Sequence, residues 1–140
     1  MIREIKEKDL DKVMELIALH ADWEKCPYQE QPQDKENLRK QIFEVGDLKG
    51  LVVEVDNQVV GYATYIKQYS TWGAHYYNYM DCLFLEEQHR GSGWGKKIVD
   101  KIKEEGLPMQ WQTPPHNEMG IGFYNHIGAE GKPKVRFSYI

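Results

Sequence analysis

The stretch EEQHRGSGWGKKIVDKI, residues 86–102, decides the fold because it joins a glycine-rich turn to an amphipathic helix. Its three glycines, Gly91, Gly93 and Gly95, alternate with other residues. Glycine loses more conformational freedom on folding than any other residue, and one tight turn rarely needs three glycines. The exposed backbone of this turn is therefore expected to have a function. Free N–H groups at a helix start bind anions, and missing side chains let a phosphate approach them. With Arg90, Lys96 and Lys97 beside it, the stretch predicts a phosphate-binding turn.

Two common nucleotide-binding motifs do not fit this turn. A P-loop has the pattern G-x-x-x-x-G-K-[ST], but Arg90 stands five positions before Gly95, and Lys96 is followed by Lys97. A dinucleotide fingerprint has the pattern G-x-G-x-x-G after a first strand, whereas this turn reads G-x-G-x-G late in the chain. The phosphate ligand therefore belongs to another class.

Composition predicts one globular domain over residues 1–140 and no membrane partner. The chain is 41% hydrophobic and 29% charged, and no apolar run approaches the roughly 18 residues of a membrane span. The start, MIREIKEKDL, lacks the apolar core of a signal peptide, and Cys26 and Cys82 have no metal spacing. We expect free thiols and a cytoplasmic location. The net charge of −4 argues against a nucleic-acid partner and is compatible with a small cationic substrate.

Hydrophobic periodicity predicts the element order β-α-α-β-β-β-α-β-α-β. Asp56 and Asn57 separate two β-rich runs and predict a tight hairpin. A long strand is expected from about Tyr76 to Leu85, a short one at PMQWQT, a helix over residues 117–127, and a closing strand at KVRFSYI. Hairpins followed by α/β crossovers imply an α+β fold, in which helices cover a mixed sheet.

The turn, R-x-x-G-x-G at residues 90–95, resembles the acetyl-CoA pyrophosphate loop of the GNAT superfamily of N-acetyltransferases. Upstream, YMDCLFLEEQHRG is similar to the family's YLEDLFVxPExRG, and downstream WQTPPHNEMGIGFYNHIGAEG resembles N-x-x-A-x-x-FY-x-x-x-GA. The resemblance covers most of the chain and is strongest over residues 79–130. The segment QYSTWG, residues 68–73, resembles the YST segment that commonly follows the third strand in the small-amine (polyamine and diamine) branch of the family. Gly120 departs from the family's usual Ala, and the C-terminus is short.

The resemblance implies the GNAT acyl-CoA N-acyltransferase fold. This fold has a central, mostly antiparallel sheet with helices on both faces and a splay between the fourth and fifth strands. It also implies an enzyme that transfers acetyl from acetyl-CoA to a small-molecule primary amine by direct attack in a ternary complex, without a metal. Two alternatives stay open: an acyl-CoA-binding sensor without transferase activity, and a protein or peptide N-acetyltransferase. A homodimer is also left open.

Family motifs assign the cofactor-binding residues of this sequence. The backbone of the strand before the loop would pair with the pantetheine amides, as a peptide adds to a sheet edge. The turn would hold the pyrophosphate, and two residues of the last helix would complete the site. The expected set is Leu83, Phe84, Leu85, Arg90, Gly91, Ser92, Gly93, Trp94, Gly95, Lys96, Asn117 and Tyr124.

Two residues are expected to act in catalysis. Tyr124 matches the family's catalytic Tyr and would protonate the departing thiolate, whereas an arbitrary Tyr here would be a core aromatic. Asp81 matches the family's acidic strand position and would remove the amine proton, directly or through water; the alternative is a surface carboxylate. His20 and His126 are interpreted as ordinary surface or rim residues. The polar segment Asp22 to Gln33 is predicted to be a loop, and the resemblance implies that this loop, which carries Glu24 and Glu30, lines the acceptor site.

Overall fold

The computed structural model describes all residues, 1–140, and contains one five-stranded sheet in the order β1-β2-β3-β4-β5. The first three pairings are antiparallel and the last, between β4 and β5, is parallel. This confirms the mixed, mostly antiparallel sheet. The strands are β1 (Ile2–Glu4), β2 (Leu48–Val55), β3 (Gln58–Ser70), β4 (His75–Leu85) and β5 (Met109–Gln110).

Helices cover both faces of the sheet. They are α1 (Leu10–Trp23), α2 (Asp34–Lys40), α3 (Trp94–Lys103) and α4 (Glu118–His126), with a π-helical turn at Gln41–Val45 and 3₁₀ turns at Glu7–Asp9 and Glu87–His89. One core cluster packs α1 against the sheet through Leu16 and Tyr62, and the other packs α3 through Ile98 and Ile102. None of the helices combines the length and the apolar character that crossing a bilayer requires.

The β2–β3 hairpin forms where the sequence predicts it. Asp56 and Asn57 both have left-handed backbones, with φ of 51° and 63°. A two-residue turn with positive φ at both positions matches the twist of the strands it joins. The sequence therefore predicts this turn for the right physical reason.

A β-bulge at Asp81 changes the phase of β4. Thr64 pairs with Cys82 and Tyr65 pairs with Met80, so Asp81 is the extra residue between them. Residues two apart on a regular strand share a face, yet Met80 packs in the α3-side core and Cys82 against the α1-side core. The bulge therefore takes up one extra residue while Met80 and Cys82 stay paired with neighbouring residues of β3.

The sheet splays open between β4 and β5. Only Asn78 and Tyr79 pair with β5, opposite Met109 and Gln110. Residues 82–85 pair with β3 alone, so their polar backbone groups on the other side have no strand partner. The expected splay is therefore present, and it exposes a stretch of strand edge.

The expected closing strand is not formed. Residues 129–140 have no regular structure, and the side chains of Val135 and Phe137 are 77% and 89% exposed. The alternating pattern of KVRFSYI describes which residues would share a face but supplies no partner strand. The strand expected at PMQWQT is likewise reduced to Met109–Gln110, because only these two residues reach β4.

Candidate functional site

A cavity of about 620 Å³ opens where β4 separates from β5. The end of α1, the C-terminal half of β4, the start of α3 and the helix α4 form its walls. Its lining residues include most of the predicted cofactor set: Leu83, Phe84, Leu85, Arg90, Gly91, Gly93, Trp94, Gly95, Lys96, Asn117 and Tyr124. The structure therefore brings these residues together in one space.

Gly91 and Gly93 give the turn its shape and its open surface. Their φ angles are +79° and +85°, in the left-handed region that favours glycine. A Cβ on either residue would meet nothing within 4 Å, so the space above the turn is free. Gly93 is also the N-cap of α3, where backbone N–H groups lack helical partners. The turn thus has the geometry of an anion site.

Gly95 has a different purpose, which is close packing. It is buried, and a Cβ there would lie 2.8 Å from Cζ of Phe123. The missing side chain lets the Phe123 ring lie against the first turn of α3, and this contact holds α4 beside the glycine turn. The three glycines therefore serve two functions: two shape the anion site and one seats the neighbouring helix.

Arg90 links the turn to both neighbouring walls of the cavity. Its Nε donates to the backbone oxygen of Leu85 at 2.8 Å. Its guanidinium lies 4.0 Å from the ring centroid of Trp23 and 5.2 Å from that of Phe84. Burial lowers the pKa of Arg90, although an arginine stays charged at any ordinary pH. Arg90 is thus a fixed positive charge beside the turn.

The other residues of the turn are more exposed. Lys96 lines the cavity but donates to Asp100 Oδ2 at 2.6 Å, in a surface ion pair along α3. Trp94 also lines the cavity, and Lys97 Nζ lies 4.7 Å from a Trp94 ring centroid. Ser92 is exposed and does not line the cavity. Of the predicted set, Ser92 is the member that the structure leaves outside.

Asn117 begins α4 and faces the cavity. Its Oδ1 accepts from the N–H of Gly120 at 3.2 Å, and its Nδ2 donates to Thr113 Oγ1 at 2.8 Å. A Cβ at Gly120 would collide with the Asn117 amide in this arrangement. The glycine that departs from the family pattern therefore makes room for this cap.

Tyr124 lies in the cavity wall on α4. Its ring centroid is 5.2 Å from that of Trp111 and 5.3 Å from that of Phe123. Burial, followed by the nearby negative charge of Glu24, raises the pKa of Tyr124 to about 12. The phenol therefore keeps its proton throughout the neutral range and is available as a proton donor.

Asp81 lies at the bulge and is exposed, outside the cavity lining. The thiol of its neighbour Cys82 donates to Asp81 Oδ2 at 3.7 Å. Burial, followed by the Asp81 charge, raises the pKa of Cys82 to about 11, so this thiol is not a nucleophile. Of the two residues expected to act in catalysis, Asp81 is the one that lies outside the cavity lining.

His20 and Glu24 form a hydrogen-bonded pair in the site, although the sequence predicts His20 to be an ordinary surface or rim residue. His20 Nδ1 lies 2.8 Å from the Tyr62 hydroxyl, and Nε2 lies 2.9 Å from Glu24 Oε2. Both residues line the cavity, as does His126. The i, i+4 spacing of His20 and Glu24 could have predicted that their side chains interact. That prediction requires the helix α1 to extend to Trp23, because residues four apart are neighbours only on a helix. The sequence instead placed a loop from Asp22 onward.

Comparison with known proteins decides the family. A match to the description "Acetyltransferase (GNAT) family" covers residues 15–129, which include the turn, the splayed strand and α4. The chain belongs to the GNAT acetyltransferase family. It is an acyltransferase of the small-amine branch, as its motifs indicate.

Relatives of this GNAT chain include thialysine N-epsilon-acetyltransferases. The Bos taurus protein is 31% identical, over 93% of this chain and 84% of its own length. The Sus scrofa protein is 32% identical, over 92% of this chain and 83% of its own. Among solved structures, an aminoglycoside acetyltransferase from an uncultured soil metagenomic sample has a TM-score of 0.81 and is 22% identical. The match covers 100% of this chain and 95% of that protein, and it shows that the two share a fold.

Proposed function

We propose that this GNAT enzyme transfers the acetyl group of acetyl-CoA to the primary amine of a small molecule, by direct attack in a ternary complex. One observation carries the proposal: a single cavity of about 620 Å³ joins an open strand edge, a glycine anion site and a protonated phenol. Holding two reactants together in such a space removes the entropic cost of their encounter. Two free cysteines support a cytoplasmic location.

The residues present fit acetyl-CoA. The backbone groups of residues 82–85 that have no strand partner suit the two amides of pantetheine, as in the addition of a strand to a sheet edge. The open backbone at Gly91 and Gly93, with Arg90 beside it, suits a pyrophosphate. Asn117 and Tyr124 would contact the bound molecule from α4.

In the proposed mechanism, acetyl-CoA supplies an activated acetyl thioester, and the protein moves the protons. An ammonium cannot attack a thioester, so Asp81, acting through water, takes a proton from the acceptor amine. A backbone N–H of residues 81–85 stabilises the oxyanion that forms at the carbonyl. Tyr124, whose raised pKa keeps it protonated, donates to the departing thiolate.

The proposed acceptor is a compact amine that is cationic in water. The net charge of −4 favours a cation, and the cavity has the Glu24 carboxylate near Tyr124. The named substrate of the relatives, thialysine, is a small primary amine of this kind. The rate should rise with pH as the free-base fraction of the amine grows.

A screen with the purified protein tests this proposal. Acetyl-CoA is combined in turn with thialysine, diamines, aminoglycosides and peptides, while free thiol is measured and the acetylated product is identified by mass. We expect small cationic amines to be acetylated. Turnover of peptides alone would establish the protein acetyltransferase alternative. Tight CoA binding without turnover of any amine would establish the sensor.

A further inference from the structure

The sheet is held together across its splay at one end only. β4 and β5 pair through Asn78 and Tyr79, opposite Met109 and Gln110, and no further pairing follows. Beyond these pairs, β4 leads to the glycine turn, whereas β5 leads through a loop to α4, which carries Tyr124. The distance between these two walls of the cavity must therefore be set by contacts other than strand pairing.

The last turn of α1 contacts both sides of this opening. On the β4 side, the Arg90 guanidinium lies 4.0 Å from the Trp23 ring centroid, and Arg90 Nε donates to the backbone oxygen of Leu85 at 2.8 Å. On the β5 side, Nε2 of His116 donates to the backbone oxygen of Glu24 at 2.8 Å. Because Trp23 and Glu24 are consecutive, the end of α1 spans the splay. We call the Arg90–Trp23 and His116–Glu24 contacts together the α1 bridge.

This turn of α1 also has a fixed base on the sheet. His20 Nδ1 lies 2.8 Å from the Tyr62 hydroxyl, and the His20 ring is stacked on Phe84 with centroids 5.2 Å apart. After the turn, residues 25–33 are all exposed, so the following segment adds no packing of its own. The α1 bridge therefore joins a rigid helix end to both walls of the cavity.

Both contacts of the bridge persist across the neutral pH range. An arginine stays charged there, and a guanidinium over the face of a tryptophan is attracted by the ring. A backbone carbonyl only accepts hydrogen bonds, so Nε2 of His116 carries the proton whether the imidazole is neutral or charged. The bridge is thus a permanent link and not a pH switch.

We propose that the α1 bridge sets the width of the splay at its open end, and that Trp23 and His116 are positioning residues that hold the two cavity walls through it. The inference rests on the proposed function, because the width matters only if a thioester on the β4 wall must meet Tyr124 on the other wall. A misplacement of about 1 Å in such a group can lower a rate by about 10²-fold.

Amide hydrogen exchange, measured by NMR on the protein without ligand, tests the bridge itself. The N–H groups of Glu24 and Cys26 close the last turn of α1, so they report its opening. Their exchange should be about 3- to 10-fold faster in His116→Leu, the range for losing one hydrogen bond. In Trp23→Leu it should be about 2- to 5-fold faster, the range for an exposed cation–π contact. His116→Gln keeps a side-chain donor and should match the wild type.

Steady-state kinetics with acetyl-CoA and thialysine test what the bridge does. His116 lies outside the cavity lining, so His116→Leu removes no contact with either reactant. We expect kcat to fall by about tenfold, because the wall that carries Tyr124 is no longer tied to α1. The KM for acetyl-CoA should stay within about twofold, because the proposed cosubstrate contacts lie mostly on the β4 side. His116→Gln should restore the wild-type kcat.

Two residues of the β3–β4 hairpin provide matched controls. His75 is another exposed histidine whose ring bonds to a backbone oxygen, with Nδ1 3.0 Å from that of Tyr76, and Trp72 is a fully exposed tryptophan. His75→Leu and Trp72→Leu make the same side-chain changes away from the splay. Both should match the wild type in kcat and in the exchange of Glu24 and Cys26. Melting temperatures show that each variant is folded.

The outcomes separate this inference from the proposed function. Unchanged exchange in either His116→Leu or Trp23→Leu would overturn the bridge, and faster exchange with a wild-type kcat in His116→Leu would overturn its positioning role. In both cases the proposed function stands, because the wild type still acetylates thialysine. If the wild type binds CoA, seen as a raised melting temperature, but acetylates no amine, the proposed function and the positioning role fail together.

Discussion

Replacing Gly95 by Ala tests whether the glycine turn also sets the position of the catalytic helix. The added Cβ would lie 2.8 Å from Cζ of Phe123, whereas ordinary carbon contacts are about 3.5–4.0 Å. The ring must therefore withdraw by roughly 1 Å. Phe123 immediately precedes Tyr124 on α4, so this movement displaces the phenol as well.

Two effects follow from that displacement, and they have different sizes. Overpacking of this kind costs about 1–3 kcal/mol, which for a domain of this length lowers the melting temperature by roughly 3–12 °C. A shift of about 1 Å in a catalytic group can lower the rate by about 10²-fold. We expect kcat to fall by about 10- to 100-fold while CoA still raises the melting temperature, because Gly91 and Gly93 are unchanged.

The assay is thiol release from acetyl-CoA with thialysine, alongside thermal unfolding with and without CoA. Gly122→Ala is the matched control, because a Cβ there meets nothing within 4 Å on the exposed side of the same helix. That variant should be more stable by about 0.5–1 kcal/mol and should keep its kcat. A Gly95→Ala protein with wild-type kcat would refute the link between the turn and α4.

Three further predictions follow from other parts of the structure. Gly93→Glu places a carboxylate in the anion site, so CoA should no longer raise the melting temperature; a folded variant with unchanged CoA affinity would remove the turn from the binding site. Tyr124→Phe should lower kcat by about 10²-fold at neutral pH and leave CoA affinity unchanged, and equal turnover at every pH would make Tyr124 a packing residue. Arg3 pairs with the buried Asp9 at 2.8 Å and lowers the pKa of that carboxyl. The stability that this ion pair contributes is therefore complete above the ordinary Asp pKa of about 4, and it is lost as the pH falls through the lowered pKa. Asp9→Ala should cost about 3 kcal/mol at pH 7 in denaturant titrations, and this cost should shrink as the pH falls through the lowered pKa; a cost that does not change with pH in acid would contradict the pairing.

Local chemistry made much of the fold predictable from the sequence. The turn at Asp56 and Asn57 needs positive φ, which these residues tolerate, and the helix α3 follows from its periodic Ile98 and Ile102. The motif residues from Leu83 to Tyr124 converge because a splayed strand, a helix start and α4 surround one cavity. The family resemblance supplied that convergence, which spacing alone does not contain.

The remaining features depend on contacts between distant segments. The tail at residues 129–140 has a strand pattern, but whether it pairs depends on an available edge, and β5 has only two residues. The His20–Tyr62 bond joins residues that are far apart in the sequence, so no local pattern distinguishes this histidine from a surface one. The reason for Gly120 likewise appears only when the Asn117 cap is seen to occupy the space of a side chain.

The bulge at Asp81 acts on β4 as a frameshift acts on a reading frame. Everything before it alternates in one phase and everything after it in the other, so Met80 and Cys82 face opposite cores. Deleting Asp81 would join Met80 directly to Cys82. Because these two residues already pair with the neighbours Tyr65 and Thr64, the ladder would become regular and every other side chain would keep its face. The bulge therefore accommodates one added residue without turning over either side of the strand.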